Sequence, residues 1–310
     1  MGTSLRRKDM GKIKMQLTTL MAAHICMFLA EVTWGIMAPL GKDAMTHGLT
    51  GMDMVVFRTV GGALCFWLTS LLTGIREDVC RHDLMLFFLA GLFGIVTNQC
   101  CYTIGLSLTS PINASIVTTS MPIFTLLIGI LFMGERLTWR KLLGIGCGVT
   151  GALSLIMGSA GTAGFSGGNI FGDLLCMTAQ FSFACYLALF GRLIGRYHTI
   201  TCMKWMFLFA SCVTVPLGIP SLTEVHWAEI TLRHWAETAF IVFGATYFAY
   251  ILMMRGQKNL TPTQVSVYNY VQPVVSTAIS LILGIATLGW MQGVAVALVF
   301  IGVRLVARKR

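Results

Sequence analysis

The chain has 310 residues, of which 56% are hydrophobic and 11% charged, with a mean hydropathy of +0.78 and a formal net charge of +10. So few charges cannot wrap an apolar core of this size in a watery surface, which excludes a large soluble domain. Most of the ten cysteines stand singly in apolar runs, Cys100-Cys101 are adjacent, and no Cys-x-x-Cys spacing occurs, so neither a disulfide framework nor that form of zinc or thioredoxin chemistry is supported.

A bilayer core takes about 20 apolar helical residues to cross. Ten such runs follow one another, at roughly 17–40, 51–73, 84–105, 111–133, 141–158, 171–191, 203–219, 236–254, 262–283 and 287–306. The basic start RRKDMGKIK lacks a small-x-small cleavage site, so the first run is expected to remain as a helix. That run carries His24, Glu31 and Trp34, and the second carries Arg58. The third holds Asn98, Gln99 and Tyr102; the fourth holds Pro111, Asn113, a Thr118-Thr119-Ser120 stretch and Pro122, and stops at Gly134-Glu135-Arg136. The fifth, with Gly144-x-x-x-Gly148 and almost no polar side chains, reads as a packing helix. A glycine-rich stretch, GSAGTAGFSGGNIFG, follows as a linker. Beyond it the sixth run contributes Gln180 and the eighth Tyr247 and Tyr250. The ninth contributes Pro262, Gln264, Tyr268, Asn269, Gln272 and Pro273.

Nineteen of the 22 Lys and Arg residues fall in the tail, the even-numbered connectors and the C-terminal end; Lys42 and Arg233 fall on the other side, and Arg58 within a span. Positive charge marks the cytoplasmic face, so both termini are expected inside. The basic balance therefore reflects membrane topology and anionic lipid heads rather than nucleic acid.

A charge in mid-membrane costs about 2.5–3.5 kcal/mol on insertion scales, so one that is kept is a functional candidate. Ending the first helix at Pro39 places Glu31 roughly 12 Å from the external end, and Arg58 lies roughly 8–10 Å from its own. The two are expected to pair or to share a hydrogen-bond network facing a cavity. Arg58 suits the carboxylate of an amino-acid-like or other anionic solute, and Glu31 suits a proton that is taken up and released. Trp34, Asn98, Gln99, Tyr102, Asn113, Gln180, Tyr247, Tyr250, Tyr268, Asn269 and Gln272 are the further candidates for the cavity wall. Aromatic rings and amides suit amino acids, amines, nucleosides and drugs alike.

The chain repeats itself. At an offset of 151, Pro111 falls on Pro262, Pro122 on Pro273, Ser115 on Ser266, Leu137 on Leu288, Trp139 on Trp290 and Gly151 on Gly302. Each copy has five spans, and an odd number inverts the second copy. Pro111 and Pro262 read as first-turn prolines, whereas Pro122 and Pro273 break a helix where only protein or a water-filled cavity can satisfy the freed carbonyl. The organisation expected is a cytoplasmic tail (1–16), a first five-helix repeat (17–157), a linker (158–170) and a second repeat (171–307).

The Thr109-Ser110-Pro111 start, Pro122, Gly134-Glu135, Leu137 and Gly144, Gly148 and Gly151 resemble the drug/metabolite transporter superfamily, EamA type, over about 17–307. The resemblance implies an all-α integral membrane protein with ten transmembrane helices in two inverted five-helix repeats, both termini cytoplasmic. It also implies a cavity built by spans 1–4 and 6–9, with spans 5 and 10 peripheral. Ala286 stands where the second repeat often carries a glutamate, so Glu135 is read as a loop residue.

Enzyme chemistry finds little footing. Gly164-Phe165-Ser166-Gly167-Gly168 matches a nucleophile elbow in letters, but it lies in a linker. No His-Glu-x-x-His and no P-loop occur. The leading expectation is a secondary active transporter of a small organic metabolite in a bacterial inner membrane, with no cofactor, no metal and no nucleic-acid partner. The alternatives are a membrane-embedded enzyme acting on a lipid or isoprenoid, and a sensor or scaffold without flux.

Overall fold

The structure is a computed structural model that describes residues 2–133 and 170–283, with scattered positions in 138–150 and 297–301. The expected fifth and tenth spans, nearly all of the linker, and Glu135 fall largely or wholly outside the described residues, as do the side chains of residues 2–15 and of Asn113.

Every described element is helical. The chain runs as α1 (Gly2–Thr46), α2 (Gly51–Leu72), α3 (Arg81–Leu108) and α4 (residues 111–133). It continues as α5 (Ile170–Leu189), a short helix Gly191–Arg196, α6 (Thr199–Glu224), α7 (Leu232–Gln257) and α8 (residues 262–282). Six of these, α1 from Gln16 onward, α2, α3, α5, α6 and α7, are long and apolar enough to cross a membrane. Starts are set by local chemistry: Thr50 and Asp53 close a capping box on α2, and Thr261 and Gln264 close one on α8, with Pro262 in its first turn.

The bundle turns large apolar side chains outward and seats hydroxyls and amides among an apolar core. On α2, Leu64, Leu68 and Leu71 are exposed, while Thr59, Gly62, Phe66 and Ser70 are buried on the opposite face. Thr59 Oγ1 meets Thr214 Oγ1 of α6 at 2.7 Å inside the bundle. A soluble protein arranges these residues the other way round, because lipid, unlike water, neither repels leucine nor satisfies a hydroxyl. Close crossings rest on glycine. A Cβ on Gly105 of α3 would stand 2.7 Å from the Gly172 carbonyl oxygen and from Cys176 Sγ of α5, and one on Gly172 would meet the Gly105 carbonyl at 2.9 Å. A Cβ on Gly94 would meet the buried ring of Tyr186 at 2.7 Å.

The repeat reappears as matched irregularities. α3 is interrupted by a π-helical stretch at Leu92–Thr97, and α7 by one at Phe240–Phe248; an offset of 151 carries residues 92–97 onto 243–248. α4 is broken by a 3₁₀ turn at Thr118–Ser120, and α8 by one at Tyr268–Tyr270. Pro122 and Pro273 follow those turns by two and three residues. Proline has no N–H for the carbonyl four residues back, so the turn tightens before it. For Pro122 that carbonyl is Thr118 O, which accepts Met121 N–H within the turn and also Asn269 Nδ2 at 3.4 Å. The two 3₁₀ turns lie against each other, so the breaks meet where the halves meet.

α1 corrects one expectation. It does not end at Pro39 but carries that proline inside and continues to Thr46.

Gly105→Ala is expected to lower the melting temperature of the purified protein by several degrees, since overpacking a tight site costs about 1–3 kcal/mol. The same substitution at Gly195, which has open space around it, is the reference. Equal melting temperatures for the two variants would contradict the crossing described above.

Candidate functional site

A cavity of about 440 Å³, counting its open mouth, lies between the halves. One side is built by α1 and α7. Trp34 donates its Nε1–H to Ala245 O at 2.7 Å and packs edge-on against Tyr250 and Phe183. Ala245 lies in the π-helical stretch, where carbonyl bonding is out of step with an ordinary α-helix and oxygens are available to side chains. The equivalent position in α3, Gly94, lends its carbonyl to Tyr250 OH at 3.4 Å, so both π stretches orient a cavity aromatic.

Arg58 enters from α2 and lines the cavity, although only 4% of it is exposed. Its Nε donates to Thr246 Oγ1 at 3.0 Å, and Thr246 donates its own proton to Ile241 O five residues back. One hydroxyl proton and two lone pairs make that double role possible. Among the described residues no carboxylate stands within ion-pair distance of Arg58. The neutral hydroxyl therefore aims the guanidinium without neutralising it.

The far wall is a chain of amides. Gln180 of α5 accepts from Asn269 Nδ2 at 3.3 Å, and Asn98 of α3 donates to Ala179 O at 3.0 Å. Gln272 of α8 lines the cavity and donates Nε2–H to Glu31 Oε2 at 2.6 Å. Glu31 itself is 1% exposed and sits behind Gln272, without a cationic partner among the described residues. Below it on the same pair of helices, His24 Nδ1 and Tyr268 OH are 2.7 Å apart.

The expected meeting of Glu31 and Arg58 does not occur. With α1 ending at Thr46, Glu31 stands about 22 Å from that end, whereas Arg58 stands about 10 Å from the start of α2. The two helix ends are joined by a four-residue turn, so the groups lie at different depths, and α7 holds Arg58 on one side while α8 holds Glu31 on the other.

Of the other sequence candidates, Tyr102 lines the cavity with a buried hydroxyl. Gln99 lies behind Tyr250 and donates to its hydroxyl at 3.2 Å. Tyr247 turns to α2, where its OH is 2.6 Å from Thr69 Oγ1 and its ring packs on Phe66. The wider π-helical turn separates it from Tyr250, which a regular helix would place on the same face. The Asn113 side chain is outside the described ones. Met37, Phe183 and Thr246 also build the site. Thr246 stands four residues before Tyr250, and that helical spacing is the signal available for it. The other two are apolar residues in apolar spans and give none.

Comparison with known proteins agrees with this architecture. The model of the EamA-like transporter family matches twice, over residues 21–157 and 170–308. An uncharacterized transporter of Bacillus subtilis (strain 168), YyaM, is 22% identical over 89% of this chain and 86% of its own length. The pseudopaline exporter CntI of Pseudomonas aeruginosa (strain PAO1) is 24% identical over 83% of this chain and 86% of its own. One solved crystal structure superposes with a TM-score of 0.72 over 92% of this chain and 96% of that one, at 22% identity, which establishes a shared fold alone. The chain is a multi-pass membrane protein and belongs to the EamA-like transporter family, whose relatives are named as transporters rather than enzymes.

Proposed function

We propose that the chain is a secondary active transporter that moves a small organic metabolite with an anionic group, amino-acid-like in size, across a bacterial inner membrane by alternating access. The observation that carries the reading is Arg58: a guanidinium in the wall of a cavity between two repeats, held by a hydroxyl and without a carboxylate partner among the described residues. A buried charge so placed suits a carboxylate brought by the solute, in a two-pronged pairing. Trp34 and Tyr250 offer flat apolar surface beside it, and Asn98, Gln180 and Asn269 offer amides opposite. The relative named as a pseudopaline exporter supports export of a small metabolite as the direction.

Glu31 is the group we assign to proton coupling. Protonation there removes an unpaired charge from a low-dielectric interior, and Gln272 connects that event to the cavity wall. Ten spans with both termini cytoplasmic complete the reading, as charge placement requires. Ion pairs cross between the halves at both ends. At the cytoplasmic end Asp83 accepts Tyr197 OH at 2.6 Å and faces Arg196 Nη1 at 3.1 Å, and Glu77 accepts the His198 N–H at 2.8 Å. The Asp83 carboxylate pushes the Tyr197 hydroxyl up to about 12, so Tyr197 stays a proton donor throughout the physiological range. At the external end Asp43 holds Arg233 at 2.7 Å. Opening to either side requires one of these to part.

Uptake into proteoliposomes against a panel of labelled metabolites tests the assignment. Arg58→Lys is expected to reduce flux of anionic solutes about tenfold or more, since the ammonium keeps the charge but loses one hydrogen bond of the two-pronged pairing. Glu31→Gln is expected to retain solute binding while making flux insensitive to a pH gradient. Wild-type, pH-dependent transport in both variants would remove the proposal. Reporter fusions test the orientation: a fluorescent protein is expected to be bright, and alkaline phosphatase inactive, at either terminus. Opposite results at the two ends would rule out the inverted arrangement.

A further inference from the structure

At the external ends of α1 and α7, away from the cavity, Asp43, His47 and His234 come together. Each offers one ligand atom, and the three atoms lie within 4.8 Å of one another. The two imidazoles are stacked, with centroids 4.4 Å apart and planes 18° from parallel. His234 Nε2 faces Asp43 Oδ2 at 4.0 Å, and His47 Nδ1, held at 2.8 Å from the Asp43 carbonyl oxygen, stands 3.7 Å from Asp43 Oδ1. From the geometry of this cluster we infer a binding site for a late first-row divalent metal ion of the zinc type, formed jointly by the two repeats.

Three features favour a metal over a simple polar cluster. First, His234 is buried, and its Nδ1 is 3.1 Å from Thr231 Oγ1. With Nδ1–H donated to that hydroxyl, the lone pair resides on Nε2, the atom turned toward Asp43; a ligating histidine is normally fixed by such an outer bond. Second, Glu237, 7% exposed, sets a second carboxylate beside Asp43, where two like charges favour a cation between them. Arg233 links it to the cluster, meeting Glu237 Oε1 at 3.0 Å and Asp43 Oδ2 at 2.7 Å. Third, the charges leave room for a cation. Two carboxylates face one guanidinium, and the guanidinium is more than half exposed, so it can leave Asp43 and stay with Glu237.

Two imidazoles with a carboxylate are the donor set of zinc and its neighbours, whereas calcium and magnesium take oxygen. Ligand atoms around a bound zinc lie at about 2.0–2.2 Å from it, so gathering this trio takes shifts of about 1 Å. Asp43 and His47 belong to α1 and its C-terminal end, and His234 to the first turn of α7, so the ion would bridge the two halves. None of these residues lines the cavity, and the inference does not depend on what the cavity carries.

The test is calorimetric titration of the purified, full-length, chelator-treated protein with zinc chloride alone, with the melting temperature measured in parallel. One saturable site per chain is expected, together with a rise in melting temperature. His47→Ala and His234→Ala are each expected to weaken zinc at least tenfold. His226→Ala, an exposed histidine in the connector before α7, is expected to leave the affinity unchanged. Arg233→Gln removes the competing cation and is expected to tighten binding. His47 is itself largely exposed, so its removal reads the site even if the His234 variant folds poorly. Absence of saturable binding to the wild type overturns the proposal, as does wild-type affinity in the His47→Ala protein.

Discussion

A backbone carbonyl that loses its partner in the bilayer core cannot turn to water, and the rest of this molecule is arranged around that constraint. Pro122 and Pro273 each lie near the middle of a helix, α4 and α8, and each break tightens into a 3₁₀ turn. The turns are set against each other, and Asn269 of one reaches Thr118 O of the other. At these two breaks the freed backbone lies at the junction of the halves, where an amide side chain serves it. The same amide then faces the cavity.

The π-helical stretches extend this logic. In α7 the stretch holds Trp34 through Ala245 O and Arg58 through Thr246 Oγ1, two contacts made on adjacent residues by two different helices. In α3 the stretch serves Tyr250 and also accepts Ser182 Oγ at 2.7 Å through Phe93 O. Irregular helix therefore orients the groups that line the hollow, while glycine crossings such as Gly105 on Gly172 hold the regular segments close. A charged group kept in the membrane and aimed by a neutral partner remains available to something that arrives from outside.

Glu31 shows how near a residue can be to a site without lining it. Gln272 separates it from the cavity, so its charge is felt through one hydrogen bond rather than by contact. This division places a positive group at the wall and an acidic group behind it.

Hydropathy, charge placement and the spacing of prolines are properties of the linear chain, and they sufficed for the membrane class, the twofold repeat and the family. Many cavity residues were legible too, because a polar side chain such as Asn269 or Gln180 in an apolar span has few places to go. Pairing was not legible. α1 runs past Pro39, which shifts Glu31 out of the level of Arg58, and a helix end depends on what packs around a proline rather than on the proline alone. Nor could spacing foresee that Tyr247 and Tyr250 part company, since the π-helical stretch that turns them is selected by neighbouring helices. The cluster of Asp43, His47 and His234 lies furthest from sequence: residues from opposite halves meet only because α1 and α7 end side by side, and contact between distant segments is decided by packing.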